Sequence, residues 1–168
     1  NKYIYFVSDY HAKDNIYKLD LQTKEIKQIT NSVCDYTAVI PTSGKLIATR
    51  MSMSNPIEIW SVDEKSGKET KISTVNDDLM AKVKWGKVEE RWLKATDGKD
   101  LHTWVIYPPD FDSTKKYPTL LYCEGGPQST VSQFWSYRWN FQIMAANGYI
   151  IVAPNRRGLP GFGQEWLE

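Results

Sequence analysis

The chain of 168 residues carries 21 Lys and Arg against 20 Asp and Glu, a net charge of +1, so it offers no basic field for a phosphate backbone or an anionic membrane surface. Hydrophobic residues at 41% and charged residues at 24% exclude the disordered and collagen-like classes. No apolar run approaches the roughly 18 residues of a spanning helix, and a soluble chain with neither nucleic-acid nor membrane partners is expected.

In chain order, Tyr3 to Ser8 is an apolar run, and Asn15 to Asp20 and Glu25 to Thr30 alternate on either side of the polar turn Gln22 to Lys24. A shift of 43 positions aligns Lys2, Tyr3 and Ile4 with Lys45, Leu46 and Ile47. The same shift places Ile16, Tyr17, Leu19 and Asp20 on Ile59, Trp60, Val62 and Asp63, and Ile29-Thr30 on Ile72-Ser73. That period suits one four-stranded propeller blade. Two unrelated hairpins could match by chance, but the aligned aspartates weigh against it. Two units do not close a propeller, so residues 1–85 are expected to be its last blades, with others preceding Asn1.

Past Trp85 the repeat stops. Glu89 to Ala95, Asp97-Gly98 and Leu101 to Tyr107 predict a hairpin. Thr119 to Cys123 is an apolar run ending in Glu124-Gly125-Gly126-Pro127, which predicts a strand covered on both faces. Phe134, Tyr137, Phe141 and Met144 recur at helical steps, with Gly148 placed for a left-handed cap. Tyr149 to Ala153 then supplies a second strand, so residues 86–168 are expected to be α/β with a parallel crossover.

Ligands in such sheets bind beyond the carboxyl ends of the strands, which puts Glu124 to Gln128 and Asn155 to Gly163 on the functional edge. Paired glycines can aim amide N–H groups at a carbonyl with no Cβ in the way, and donors of this kind stabilise the oxyanion of acyl transfer. Gly158, Gly161 and Gly163 are read as turn residues as readily as functional ones. Cys34 and Cys123 lack C-x-x-C spacing and are expected to be structural thiols. Asp77-Asp78, Asp9 with His11, and Glu89-Glu90 lack metal-ligand spacing, and the glycine order after Arg157 is not a dinucleotide fingerprint, so no metal or cofactor is expected.

The succession of repeat, Asp97-Gly98, Lys116-Tyr117-Pro118, apolar strand, Gly125-Gly126-Pro127, Asn147-Gly148-Tyr149 and Asn155-Arg156-Arg157-Gly158 resembles the prolyl oligopeptidase family of serine peptidases, in its acylaminoacyl and dipeptidyl peptidase branch. The resemblance implies a mixed fold: the end of an all-β propeller over 1–85, then the N-terminal part of an α/β-hydrolase domain over 86–168. It implies a Ser-Asp-His triad acting on short peptide substrates, Gly126 as oxyanion donor through its backbone, and Gly125 permitting the turn. Glu124 and Arg157 become candidate substrate-side residues, Arg157 alternatively ordering its loop. Glu124 departs from the His or Tyr of similar enzymes; a carboxylate cannot donate a hydrogen bond, so its side chain is expected to turn aside or meet a cation.

No serine here has glycine at both the second preceding and second following positions, so the nucleophile elbow is missing and the triad is expected beyond Glu168. His11 and His102 are read as surface or packing residues. A fragment of this kind would leave an open sheet edge and associate, a homo-oligomer included. Two other readings stay open: a non-catalytic propeller interaction module, with Trp60, Trp85 and Trp92 either on its face or in its core, and an esterase on the same fold. The compartment is not legible.

Overall fold

The computed structural model describes residues 2–125 and 128–168. Two compact units emerge, one running to Met80 and taking in Ser132–Trp135, the other comprising Ala81–Val131 and Ser136–Glu168. The extent of the repeat places the boundary at 85/86, with 132–135 in the second half.

In the first unit, β1 (Tyr3–Asp9), β2 (Asp14–Asp20) and β3 (Ile26–Gln28) form one antiparallel meander, and β4 (Asp35–Pro41), β5 (Lys45–Ser52), β6 (Asn55–Asp63) and β7 (Glu69–Lys71) form another. One parallel bridge, Asp14 to Asp35, joins them. The repeat is physical. Ile29 N–H donates to Ile16 O and Ile72 N–H to Ile59 O, both at 2.8 Å. Thr30 Oγ1 accepts from Ile16 N–H at 3.0 Å, as Ser73 Oγ does from Ile59 N–H at 2.8 Å. Asp20 Oδ1 accepts from the amides of Gln22 and Thr23, and Asp63 Oδ1 from those of Lys65 and Ser66. The aspartates align because each organises the same turn. The Gln22 amide on Asp20 and the Ser66 hydroxyl on Asp63 lead the interactions that hold both carboxyls below the usual range. Unrelated hairpins would not share this set.

Inward-facing Ile16, Cys34, Tyr36, Leu46, Ala48 and Val62 make the core of this unit. Asp35 is buried beside them and anchors the late segment: Ser132 Oγ donates to its Oδ2 at 2.6 Å and Gln133 N–H to its Oδ1 at 3.1 Å. The Asp14 amide donates to the same Oδ1 at 3.3 Å. Burial pushes the Asp35 carboxyl up to about 6 and, with the Asp35 and Asp9 charges added, that of Asp14 up to about 7. The short helix α1 (Asp77–Met80) ends the unit's main run.

The second unit holds β8 (Val88–Lys94), β9 (Asp100–Ile106), β10 (Thr119–Leu121), α2 (Phe141–Ala146), β11 (Ile150–Pro154) and α3 (Gln164–Leu167). Its sheet order is β10-β11-β9-β8, with β10 and β11 parallel and the other pairs antiparallel. The expected hairpin and the expected parallel pair are both present. The helix is shorter than the periodicity predicts: Asn140 accepts from the amides of Gln142 and Ile143 and so starts α2 at Phe141, while Phe134 and Trp135 pack with the first unit. Gly148 does adopt φ 87° behind it.

Three other expectations are corrected. Leu120 and Leu121 are 40% and 63% exposed, because β10 is an edge strand among the described residues. Trp104 is the fully buried tryptophan of this sheet, whereas Trp92 is 43% exposed. Cys34 is free and buried, as a structural thiol should be, but Cys123 is free and exposed. Among the described residues no helix is long and apolar enough to cross a membrane.

Candidate active site

β10 and β11 run in parallel, so the segments leaving them, 122–131 and 155–163, emerge on one edge of the sheet. Tyr122 N–H still donates to Val152 O at 2.8 Å, extending the pairing one residue past β10. Burial, with the neighbouring Glu124 carboxylate, pushes the Tyr122 phenol up to about 12. Among the described residues Glu124 meets no cation; its Oε1 accepts from Ser129 Oγ at 2.8 Å, a hydroxyl five residues on. Gly125 is exposed, and a Cβ built there would meet nothing within 4 Å. Gly126 lies outside the described residues.

The far end of this loop is held from β11. Asn155, fully buried, accepts from Val131 N–H at 2.8 Å through Oδ1 and donates from Nδ2 to Val131 O at 3.1 Å. Trp104 Nε1 donates to the same carbonyl at 2.9 Å. Asn155 Nδ2 also lies 2.9 Å from His102 Nδ1, and its main-chain N–H donates to His102 O at 2.8 Å. His102 is therefore a packed and bonded core residue. Sequence alone offers Asn155 only as part of a motif; its polar side chain directly after an apolar β-branched strand is the signal that points to a buried role.

Arg157 pairs with Asp97 of the β8–β9 turn and lies over the Trp166 ring at 4.9 Å. Trp166 Nε1 donates to Arg156 O at 2.9 Å, and Gly158 N–H to Trp166 O at 2.8 Å. The Arg157 side chain remains 43% exposed. Beside β10 lies an apolar groove of about 410 Å³, lined in part by Leu120, Leu121, Trp139 and Met144.

Known proteins resemble this chain in sequence and in fold. Across 165 residues the chain is 46% identical to dipeptidyl-peptidase 5 of Porphyromonas endodontalis, a match covering 98% of this chain and 24% of that protein. Dipeptidyl-peptidase 5 of Porphyromonas gingivalis is 45% identical over 168 residues, covering 100% of this chain and 25% of its own. Residues 135–168 match the pattern of the prolyl oligopeptidase family. The chain belongs with the prolyl oligopeptidase family. In fold, this family member superposes on the acylaminoacyl peptidase of Pyrococcus horikoshii with a TM-score of 0.83 at 25% identity, over 99% of this chain and 25% of that one. The chain spans about a quarter of the length of the curated relatives it matches.

Proposed function

We propose that this chain works within a longer serine peptidase that releases short pieces from peptides, of the dipeptidyl or acylaminoacyl kind. The observation that carries the reading is the 46% identity to a dipeptidyl-peptidase 5, which runs through both units of the chain rather than through one. In this reading the second unit provides the opening strands of the catalytic sheet, and the segment after β10 forms one wall of the oxyanion hole. The nucleophilic serine, its base and its orienting acid come from other parts of the longer protein.

Chemically, attack on a peptide carbonyl moves negative charge onto its oxygen, and donors already aimed at that oxygen lower the barrier; one such donor is worth about 3–4 kcal/mol. The Gly126 N–H is the proposed donor. The open space over Gly125 supports it, because a substrate carbonyl can approach where any side chain would stand. Glu124, tied to Ser129, acts on the loop's shape. Arg157, held by Asp97 and Trp166, orders the adjoining loop.

The full-length protein settles the matter. It should be labelled by a fluorophosphonate and should cleave dipeptidyl amides faster than simple esters of matched leaving group. Labelling with ester turnover alone points to an esterase, and no labelling at all removes the hydrolase reading.

A further inference from the structure

A row of polar groups crosses the sheet of the second unit: Glu90 on β8, His102 on β9, Asn155 at the end of β11, and Val131 in the segment after β10. Their hydrogens can be placed by elimination. Val131 N–H can only donate, so the Asn155 atom 2.8 Å from it is Oδ1; Val131 O can only accept, so the atom 3.1 Å from it is Nδ2. Both bonds demand the same amide orientation. The second hydrogen of Nδ2 then points at His102 Nδ1, 2.9 Å away, which must be bare to receive it. The imidazole is thus neutral, with its proton on Nε2, 3.2 Å from Glu90 Oε1. Trp92, Trp104 and Phe162 surround the buried ring at centroid distances of 5.0, 4.9 and 5.4 Å, so it cannot turn over without displacing them.

We propose that His102, locked as this tautomer, and Asn155 are positioning residues for the peptidase chemistry. The imidazole fixes the amide, the amide fixes both polar groups of Val131, and Val131 fixes the end of the segment that begins at Gly125. The role in catalysis rests on reading that segment as the oxyanion wall; the tautomer does not.

The test is nitrogen NMR of the full-length protein labelled with ¹⁵N-histidine, the His102 signals being assigned by their loss in His102→Gln. A bare Nδ1 and a protonated Nε2 are expected, and a proton on Nδ1 overturns the proposal. Asn155→Asp keeps the acceptor for Val131 N–H but removes the donor to His102, so Nδ1 should gain a proton. Its kcat on a dipeptidyl amide should fall about tenfold or more with KM changed less than about threefold, the pattern of lost transition-state stabilisation. His102→Asn sets an oxygen near the Nδ1 position and should keep a kcat about fivefold above that of His102→Leu, which has no acceptor. That pair carries the kinetic arm if Asn155→Asp does not fold. Parental kcat in folded Asn155→Asp and His102→Leu overturns the positioning role while the peptidase reading stands. A parent inactive on every dipeptidyl amide sinks that reading instead, and the NMR result alone then decides the His102–Asn155 arrangement.

Discussion

Gly67→Ala probes the repeat at the point where its two copies differ most. Lys24 and Gly67 occupy the same place in the same turn, at φ 62° and 69°. A side chain there carries the left-handed penalty of about 1–2 kcal/mol. Only position 67 also has a wall: a Cβ would stand 2.3 Å from the Ile29 carbonyl oxygen, and no rotamer relieves an overlap with backbone. Backbone shifts of that kind add about 1–3 kcal/mol, so Gly67→Ala should cost about 2–5 kcal/mol in all. Lys24→Gly sheds the penalty but adds about 0.5–1 kcal/mol of unfolded-chain entropy cost, ending between neutral and about 1.5 kcal/mol more stable. Urea titration of the full-length protein, followed by tryptophan fluorescence, reads both as midpoint shifts at constant slope. Gly67→Ala within about 0.5 kcal/mol of the parent would refute the shared turn geometry.

Other consequences are equally direct. The Asp14 carboxyl is raised to about 7 by burial and by Asp35, so the folded state binds its proton more tightly than the unfolded chain does; its contribution to stability is greatest below about pH 4 and is lost as pH rises through about 7. Asp14→Asn should therefore raise the urea midpoint at pH 8 and lose that advantage near about pH 4, and an unchanged midpoint at pH 8 contradicts the burial argument. Glu124→Gln should leave most turnover of the full-length enzyme, since an amide oxygen still accepts from Ser129; a collapse of kcat with the fold intact would give the carboxylate a chemical role. Asp97→Ala should cost under about 1 kcal/mol, Arg157→Ala somewhat more because it also leaves Trp166, and the double variant no more than Arg157→Ala. Additive losses in a double-mutant cycle would show that the two side chains act apart.

The repeat was legible because its signals are local: Asp20 and Asp63 bond amides two and three residues away, so equal turns leave equal letters at equal spacing. The β8–β9 hairpin was legible for the same reason, with Gly98 at φ 79° in the turn. What escaped depends on contacts between distant segments. Ser132 reaches Asp35 across 97 positions, which removes 132–135 from the helical pattern that Phe134 and Tyr137 continue on paper. The Asn155 clamp on Val131 exists only because the sheet order places the end of β11 beside the segment leaving β10. Alternation also left Trp92 and Trp104 alike as letters, and pairing across β8 and β9 decided which one the core received.

The most direct measurement is a crystal structure of the full-length enzyme trapped by a peptidyl phosphonate, whose tetrahedral oxygen stands in for the oxyanion. The phosphonyl oxygen should accept from the Gly126 N–H at about 3 Å, with Asn155 still clamping Val131 behind it. An oxygen bound elsewhere, with the amides after β10 engaged in main-chain pairing, would contradict the assignment of this segment to catalysis.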